Sequence, residues 1–257
     1  MAKRKKRQKR RQRPLTRPAD EFAKRGCEHL LEGDHKWAIL DFSDALDRGL
    51  QAGRSDIHLL RSASYVREGD TDRVFADSDA AIRLGTDSSL PFASRGIAHF
   101  IRGRHDEAIA DLSQAIRISP DATPAYLIRG KARMQQRAYG QAIDDFTAAI
   151  RLNPDIKDGY FERGVAYSCL GEHDKAIADL TEAIRRGQQP STAHGVRGLG
   201  YAQKGEYQRA IADFSEAIRI DPKNPTSYAS RAAAHRASGD EPSALIDERK
   251  AHELARR

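Results

Sequence analysis

Apolar and small positions along the chain recur on two superposed periods. The stretch Lys157–Pro190 reads KDGYFERGVAYSCLGEHDKAIADLTEAIRRGQQP, and Ser191–Asn224 repeats its pattern 34 residues later. Within the unit, Tyr160, Gly164, Tyr167, Ala176, Leu180, Ala183 and Ile184 recur at three- and four-residue spacing. That spacing predicts two amphipathic helices broken at Gly171. A fixed period of this length marks stacked units, each burying its apolar face against its neighbours. With Lys157 as place 1, copies start at Ala19, Ser55, Ser89, Thr123, Lys157, Ser191 and Pro225. The first copy carries two extra residues, Gly53 and Arg54, and the last stops one place short. Place 27 is alanine in every copy, from Ala45 to Ala251, and place 20 is alanine except at Val74. Place 8 is Gly, Ser or Ala throughout, while places 24 and 28 supply bulk, as in Phe146 and Ile150. Pro120, Pro154 and Pro222 follow second helices and punctuate them.

At these residues the unit resembles the tetratricopeptide repeat, a helix–turn–helix module of 34 residues. The resemblance covers residues 19–257 in seven copies and leaves residues 1–18 outside it. It implies an all-α, right-handed superhelical solenoid of paired antiparallel helices, with a concave groove lined by the first helix of each pair. It also implies a non-enzymatic protein–protein adaptor or scaffold.

Two places depart from the family pattern. Place 7, commonly a large aliphatic residue there, is arginine in all seven copies: Arg25, Arg61, Arg95, Arg129, Arg163, Arg197 and Arg231. Place 23 is aspartate in all seven: Asp41, Asp77, Asp111, Asp145, Asp179, Asp213 and Asp247. Place 7 shares the helix face of places 4 and 11, so its guanidinium is expected to be at least partly buried, and a charge taken out of water needs a partner. Antiparallel helices turning near place 15 set place 7 level with places 21 to 23. This predicts a structural ladder of Arg–Asp pairs within repeats.

The resemblance places residues 2, 5, 9 and 12 of the first helices on the groove. The candidate peptide-binding residues are Leu59, Ile97, Phe100, Leu127, Lys131, Met134, Phe161, Val165 and Leu199. Lys131 is the only lysine at places 5, 9 and 12, and asparagine is absent there, which argues against clamping of a C-terminal carboxylate. An apolar strip suits an extended or helical peptide with apolar anchors. The competing reading is that these residues pack between adjacent first helices.

Net charge gains meaning only when divided. The first 18 residues hold ten Lys or Arg and no acid, so the repeat body carries 34 basic against 37 acidic residues. Lys3, Arg4, Lys5, Lys6, Arg7, Lys9, Arg10, Arg11 and Arg13 read as a disordered arm able to contact polyanions such as nucleic acid or a ribosome. Two lone cysteines, Cys27 and Cys169, read as reduced, which favours a cytoplasmic compartment, or a nuclear one in a eukaryote. No run reaches the roughly 18 apolar residues of a membrane span.

Local departures mark particular copies. In copy two, Ser78 stands where bulk is expected, making that repeat the expected loose point. Arg137 replaces the turn glycine of copy four, and Trp37 occupies a place that is usually exposed. In copy seven Glu248 and His252 replace bulky residues, which predicts a polar outer face on the last helix and the natural end of the chain there. Nine histidines invite a metal reading. However, the places of His29 with His35 and of His99 with His105 are filled by Tyr201 and Tyr207 in copy six, so packing explains them. No phosphate-cradling loop or nucleophile motif is present, and neither metal nor cofactor is expected. Three roles follow: the groove-binding adaptor, a nucleic-acid- or ribosome-associated factor anchored by the arm, and a self-assembling oligomeric scaffold.

Overall fold

The computed structural model describes residues 18–187 and 190–256. The basic arm, with the residues from Lys3 to Arg13 expected to contact polyanions, lies outside them. Among the described residues the chain is all helical, with fourteen helices in seven pairs. The first three pairs are α1 (Ala19–Leu31) with α2 (His35–Asp47), α3 (Arg54–Glu68) with α4 (Thr71–Arg83), and α5 (Leu90–Ile101) with α6 (His105–Ile118). The remaining four are α7 (Thr123–Gln135) with α8 (Tyr139–Leu152), α9 (Lys157–Cys169) with α10 (His173–Arg185), α11 (Pro190–Gln203) with α12 (Tyr207–Ile220), and α13 (Pro225–Ala237) with α14 (Glu241–Ala255). The chain divides into two compact units, with the boundary between Pro120 and Asp121, so three pairs lie in the first and four in the second.

Each pair closes on one reciprocal fit. Place 8 is glycine at Gly26, Gly96, Gly130, Gly164 and Gly198. A Cβ there would meet Phe42, Leu112, Phe146, Leu180 or Phe214 at 2.5, 2.7, 2.6, 2.9 and 2.8 Å. The bulky place-24 side chain therefore fills the space that a side chain on the first helix would need. The two copies that carry a Cβ at place 8 lack a bulky apolar residue at place 24: Ser62 faces Ser78, and Ala232 accompanies Glu248, whose carboxylate is drawn to Arg236. Copy two is therefore compensated. Ser62 and Ser78 are both fully buried, and Tyr65 and Val74 form a core with Ala98. The unit boundary does not fall in that copy.

Asp34, Asp70 and Asp240 cap the starts of α2, α4 and α14 by accepting a backbone N–H three residues on, satisfying donors that the helix leaves orphaned. The outer face of α14 is not uniformly polar as its sequence suggests. Leu245 and Ile246 are 44% and 67% exposed there, because Leu245 occupies the place that in inner repeats packs on the next pair. Glu248 is held by Arg236 at 2.7 Å. Trp37 is half-buried, with its ring 6.1 Å from that of His29.

The turn inside each pair needs a left-handed residue at place 15. Glycine supplies it six times, with φ between 70° and 86°, whereas Arg137 adopts it at φ 59°. A side chain in that region costs about 1–2 kcal/mol. Arg137→Gly is accordingly expected to stabilise the chain by about 1 kcal/mol, and chemical denaturation of the two proteins checks it. An unchanged or lower midpoint would mean that Arg137 is not strained.

Candidate functional site

The most regular side-chain array joins places 7 and 23 across each helix pair. In six pairs the guanidinium donates through Nε and Nη2 to the two oxygens of one carboxylate, at 2.6 to 2.9 Å. Arg129 reaches Asp145 with Nη2 at 2.6 Å and with Nε at 3.1 and 3.2 Å. All seven aspartates are buried. This fork-to-fork geometry neutralises the carboxylate and fixes the spacing of the pair. Aromatic residues at place 4 lie against the arginine in five copies, as Phe22 does with Arg25 at 4.9 Å and Tyr160 with Arg163 at 5.9 Å. The other two copies carry histidine at place 4. His58 Nδ1 lies 2.8 Å from Asp77 and His194 Nδ1 lies 2.9 Å from Asp213.

The third arm of the guanidinium leaves the pair. Nη1 of Arg61 donates to Ser43 at 2.9 Å, that of Arg163 to Thr147 at 3.1 Å, that of Arg197 to Thr181 at 3.0 Å and that of Arg231 to Ser215 at 2.9 Å. In copy three the acceptor is a carboxylate, with Arg95 Nη1 2.6 Å from Asp79. All these acceptors occupy place 25 of the preceding repeat. The hydroxyls of Ser43, Thr181 and Ser215 donate to the backbone carbonyl four residues back at 2.7 Å, which leaves a lone pair free for the guanidinium. One arginine therefore ties three helices. For Asp77, burial alone would raise the carboxyl pKa, but hydrogen bonds from Arg61 and His58 outweigh it and hold the group below its ordinary 3.8.

The sides of the first helices that carry places 2, 9 and 13 differ from this array. On α5, Leu90 and Ile101 are 45% and 57% exposed, with Ile97 and Phe100 half-buried between them. In the second unit, Leu199, Ala202, Gln203 and Tyr207 face Ala229, Ser230, Ala233 and Ala237 across a cavity of about 410 Å³ floored by Phe214 and Ala234. Places 5, 9 and 13 of copy seven are all alanine, a combination that no other copy carries.

Sequence models decide the family. A TPR repeat model matches residues 96–137 and 198–239, and a tetratricopeptide repeat model matches residues 129–185, together about half of the chain. The chain belongs to the tetratricopeptide repeat family. Solved tetratricopeptide structures agree in fold. The crystal structure of MamA is 25% identical over 63% of this chain and 94% of its own, with a TM-score of 0.60. YrrB, described as a TPR protein with an unusual peptide-binding site, is 19% identical over 69% of this chain and 91% of its own, with a TM-score of 0.62. A tetratricopeptide protein from Parabacteroides merdae is 17% identical over 92% and 93% of the two chains, with a TM-score of 0.63. No curated relative matches the chain.

Three of the nine residues assigned to the tetratricopeptide groove are core. Leu59, Leu127 and Phe161 are 5%, 9% and 6% exposed, because place 5 points into the seam between neighbouring repeats. Leu127 packs with Ala142, Phe146 and Ala166, and Phe161 packs with Ala176, Leu180 and Ala193. Lys131 is tied to α9, with its Nζ 3.1 Å from Glu162 and 3.9 Å from Asp158. Ile97, Phe100, Met134 and Val165 are half-buried, and Leu199 is 45% exposed. Sequence reading missed Leu90, Ile101 and the alanine-lined cavity. Place 2 varies too widely to stand out, and a cavity is visible only where two helices meet. Cys27 and Cys169 are both free, and among the described residues no cluster of three or more His, Cys, Asp or Glu could hold a metal ion. No helix of these residues is long and apolar enough to cross a membrane.

Two measurements probe the array. Arg197→Leu strands Asp213 in the core and is expected to cost about 2–3 kcal/mol, between exposed and buried pairs. Thr181→Ala removes one interrepeat bond and should cost about 1 kcal/mol or less. Equal losses in urea would refute the ordering. Asp77, with a depressed folded pKa, contributes stability in full above its unfolded value near 3.8 and loses it as pH falls through the lower folded value. The gap in melting temperature between the parent and Asp77→Asn should therefore narrow below pH 3.8, and a gap that stays constant down to strong acid would contradict the shift.

Proposed function

We propose that this tetratricopeptide chain is a non-catalytic adaptor that takes an extended or helical segment of a partner protein on the groove side of its first helices. The observation that carries the reading is α5, whose groove side keeps Leu90 and Ile101 about half exposed beside Ile97 and Phe100. Burying such side chains against a ligand yields about 25 cal/mol per Å² of apolar surface removed from water. A helix of a self-contained stack gains nothing from leaving them in solvent. The cavity between α11 and α13, with Leu199 on its wall, offers a second place for an apolar anchor in the other unit.

The experiment selects binders from a phage-displayed library of random peptides on the full chain and then measures affinity for variants. Leu90→Glu combined with Ile101→Glu should weaken the selected peptides at least about tenfold. Its stability should stay within about 0.5 kcal/mol of the parent, since both sites are exposed. Phe161→Glu, by contrast, should unfold the second unit by burying a charge. Undiminished binding by the double variant would place the ligand elsewhere.

A further inference from the structure

We infer that the ligand of the α3–α5 face carries an acidic residue beside its apolar anchors, and that Arg67 receives it. This rests on the groove reading above and adds the charge of the partner. Arg67 lies in the last turn of α3, is exposed, and makes no hydrogen bond or ion pair among the described residues. Arg61 is held by Asp77, Arg73 by Asp70, and Arg102 by Asp72 and Thr71, whereas Arg104, just beyond α5, is exposed and unpaired among the described residues as Arg67 is. Arg67 occupies place 13, which elsewhere is Leu31, Ile101, Gln135, Cys169, Gln203 and Ala237. It is the one charged residue at that place.

Its position ties it to the apolar strip. Tyr65 and Val66, immediately before it, share a core cluster with Ala98 of α5, so the C-terminal turns of α3 and α5 are in contact. Arg67 and Ile101 hold equivalent places on these adjacent helices. The nearest acid along α3, Glu68, is turned to Lys36 at 3.5 Å. A cation without a partner at the edge of an exposed apolar strip attracts an anion and repels another cation. The basic arm of this chain, from Lys3 to Arg13, is thereby disfavoured as the occupant, and a partner peptide with a carboxylate is favoured. Packed helices lie about 8–10 Å apart, and an extended chain advances about 3.3 Å per residue. A carboxylate on Arg67 and an apolar anchor on Phe100 and Ile101 are thus about three residues apart in an extended ligand.

The display library gives the test. Peptides selected on the full chain should be enriched in Asp or Glu about three residues from a bulky apolar residue. The best of them, followed by fluorescence anisotropy, should bind Arg67→Gln about tenfold and Arg67→Glu about a hundredfold more weakly. Replacing the peptide's acid with lysine should restore binding to Arg67→Glu. Selected peptides without acids, or equal affinities for the parent and Arg67→Glu, overturn the inference. If such peptides still depend on Leu90 and Ile101, only the charge assignment fails. If they ignore Leu90 and Ile101 as well, the groove reading fails with it. Self-association in sedimentation velocity that Arg67→Glu abolishes would also overturn it, by making a second copy the occupant.

Discussion

Seven carboxylates are removed from water in a chain whose cores are thin layers of alanine, leucine and phenylalanine, and the structure depends on their neutralisation. An ionised group in such a layer persists only when its charge and its lone pairs are both met. The guanidinium meets both requirements, because its planar fork matches the two carboxylate oxygens and still leaves Nη1 for another acceptor. A lysine at place 7 would supply charge as a point and could not hold both oxygens in the same plane. The pairing therefore does more than cancel charge. It sets how far one helix sits along its partner, and through Ser43, Asp79, Thr147, Thr181 or Ser215 it carries that register into the preceding pair. Hydrophobic contact alone specifies such register poorly, since one alanine can replace another along the seam.

Much of this was legible in the sequence because a solenoid repeats its physics. The 34-residue period, the small residues at places 8, 20 and 27 and the break before place 16 suffice for an all-α stack of helix pairs, and fourteen helices match it. What escaped were relations between columns. Ser78, taken alone, looks like a lost contact. Beside Ser62 it is half of an exchange in which the Cβ moves from one helix to the other. The place-25 column reads as an ordinary polar helix surface until the third guanidinium arm is seen to need an acceptor there. Place 5 is ambiguous in the sequence for a related reason. A side chain on the inner side of a helix can face solvent or the adjacent helix, and the distance between helices, which sequence does not state, decides between them.

The same column explains how the array is interrupted. Copy seven carries Arg249 at place 25, where six other copies carry Ser, Thr or Asp. An arginine cannot accept a hydrogen bond. Any repeat docked on α14 in the register of the others, including α1 of a second copy, would bring its place-7 guanidinium to this cation. Glu28 stands at place 10 of α1, where inner copies carry Ser64, Ala98, Ala132, Ala166, Gly200 and Ala234. Those small residues admit the preceding pair, and a glutamate does not. Leu245 and Ile246 stay exposed on the same helix, and Arg249 beside them offers no acceptor at place 25.

Where the array satisfies every charge, the helices have little left with which to bind anything. Recognition must come from side chains that the stack does not consume. On the second helices of copies one to six these are scattered singly, as with Leu152, and single exposed apolar residues are ordinary. On α5 they fall on one side of one helix, and on the adjoining turn of α3 stands a cation without a counterion. The apolar strip is expensive to keep if it serves only the fold. The apolar strip invites nonspecific association, and Arg67 contributes no more to the end of α3 than an arginine on any other side of that turn would. The surplus of apolar surface and the surplus of charge coincide in space, and a single ligand that answers both at once is the simplest reason for a stack this regular to depart from its own pattern there.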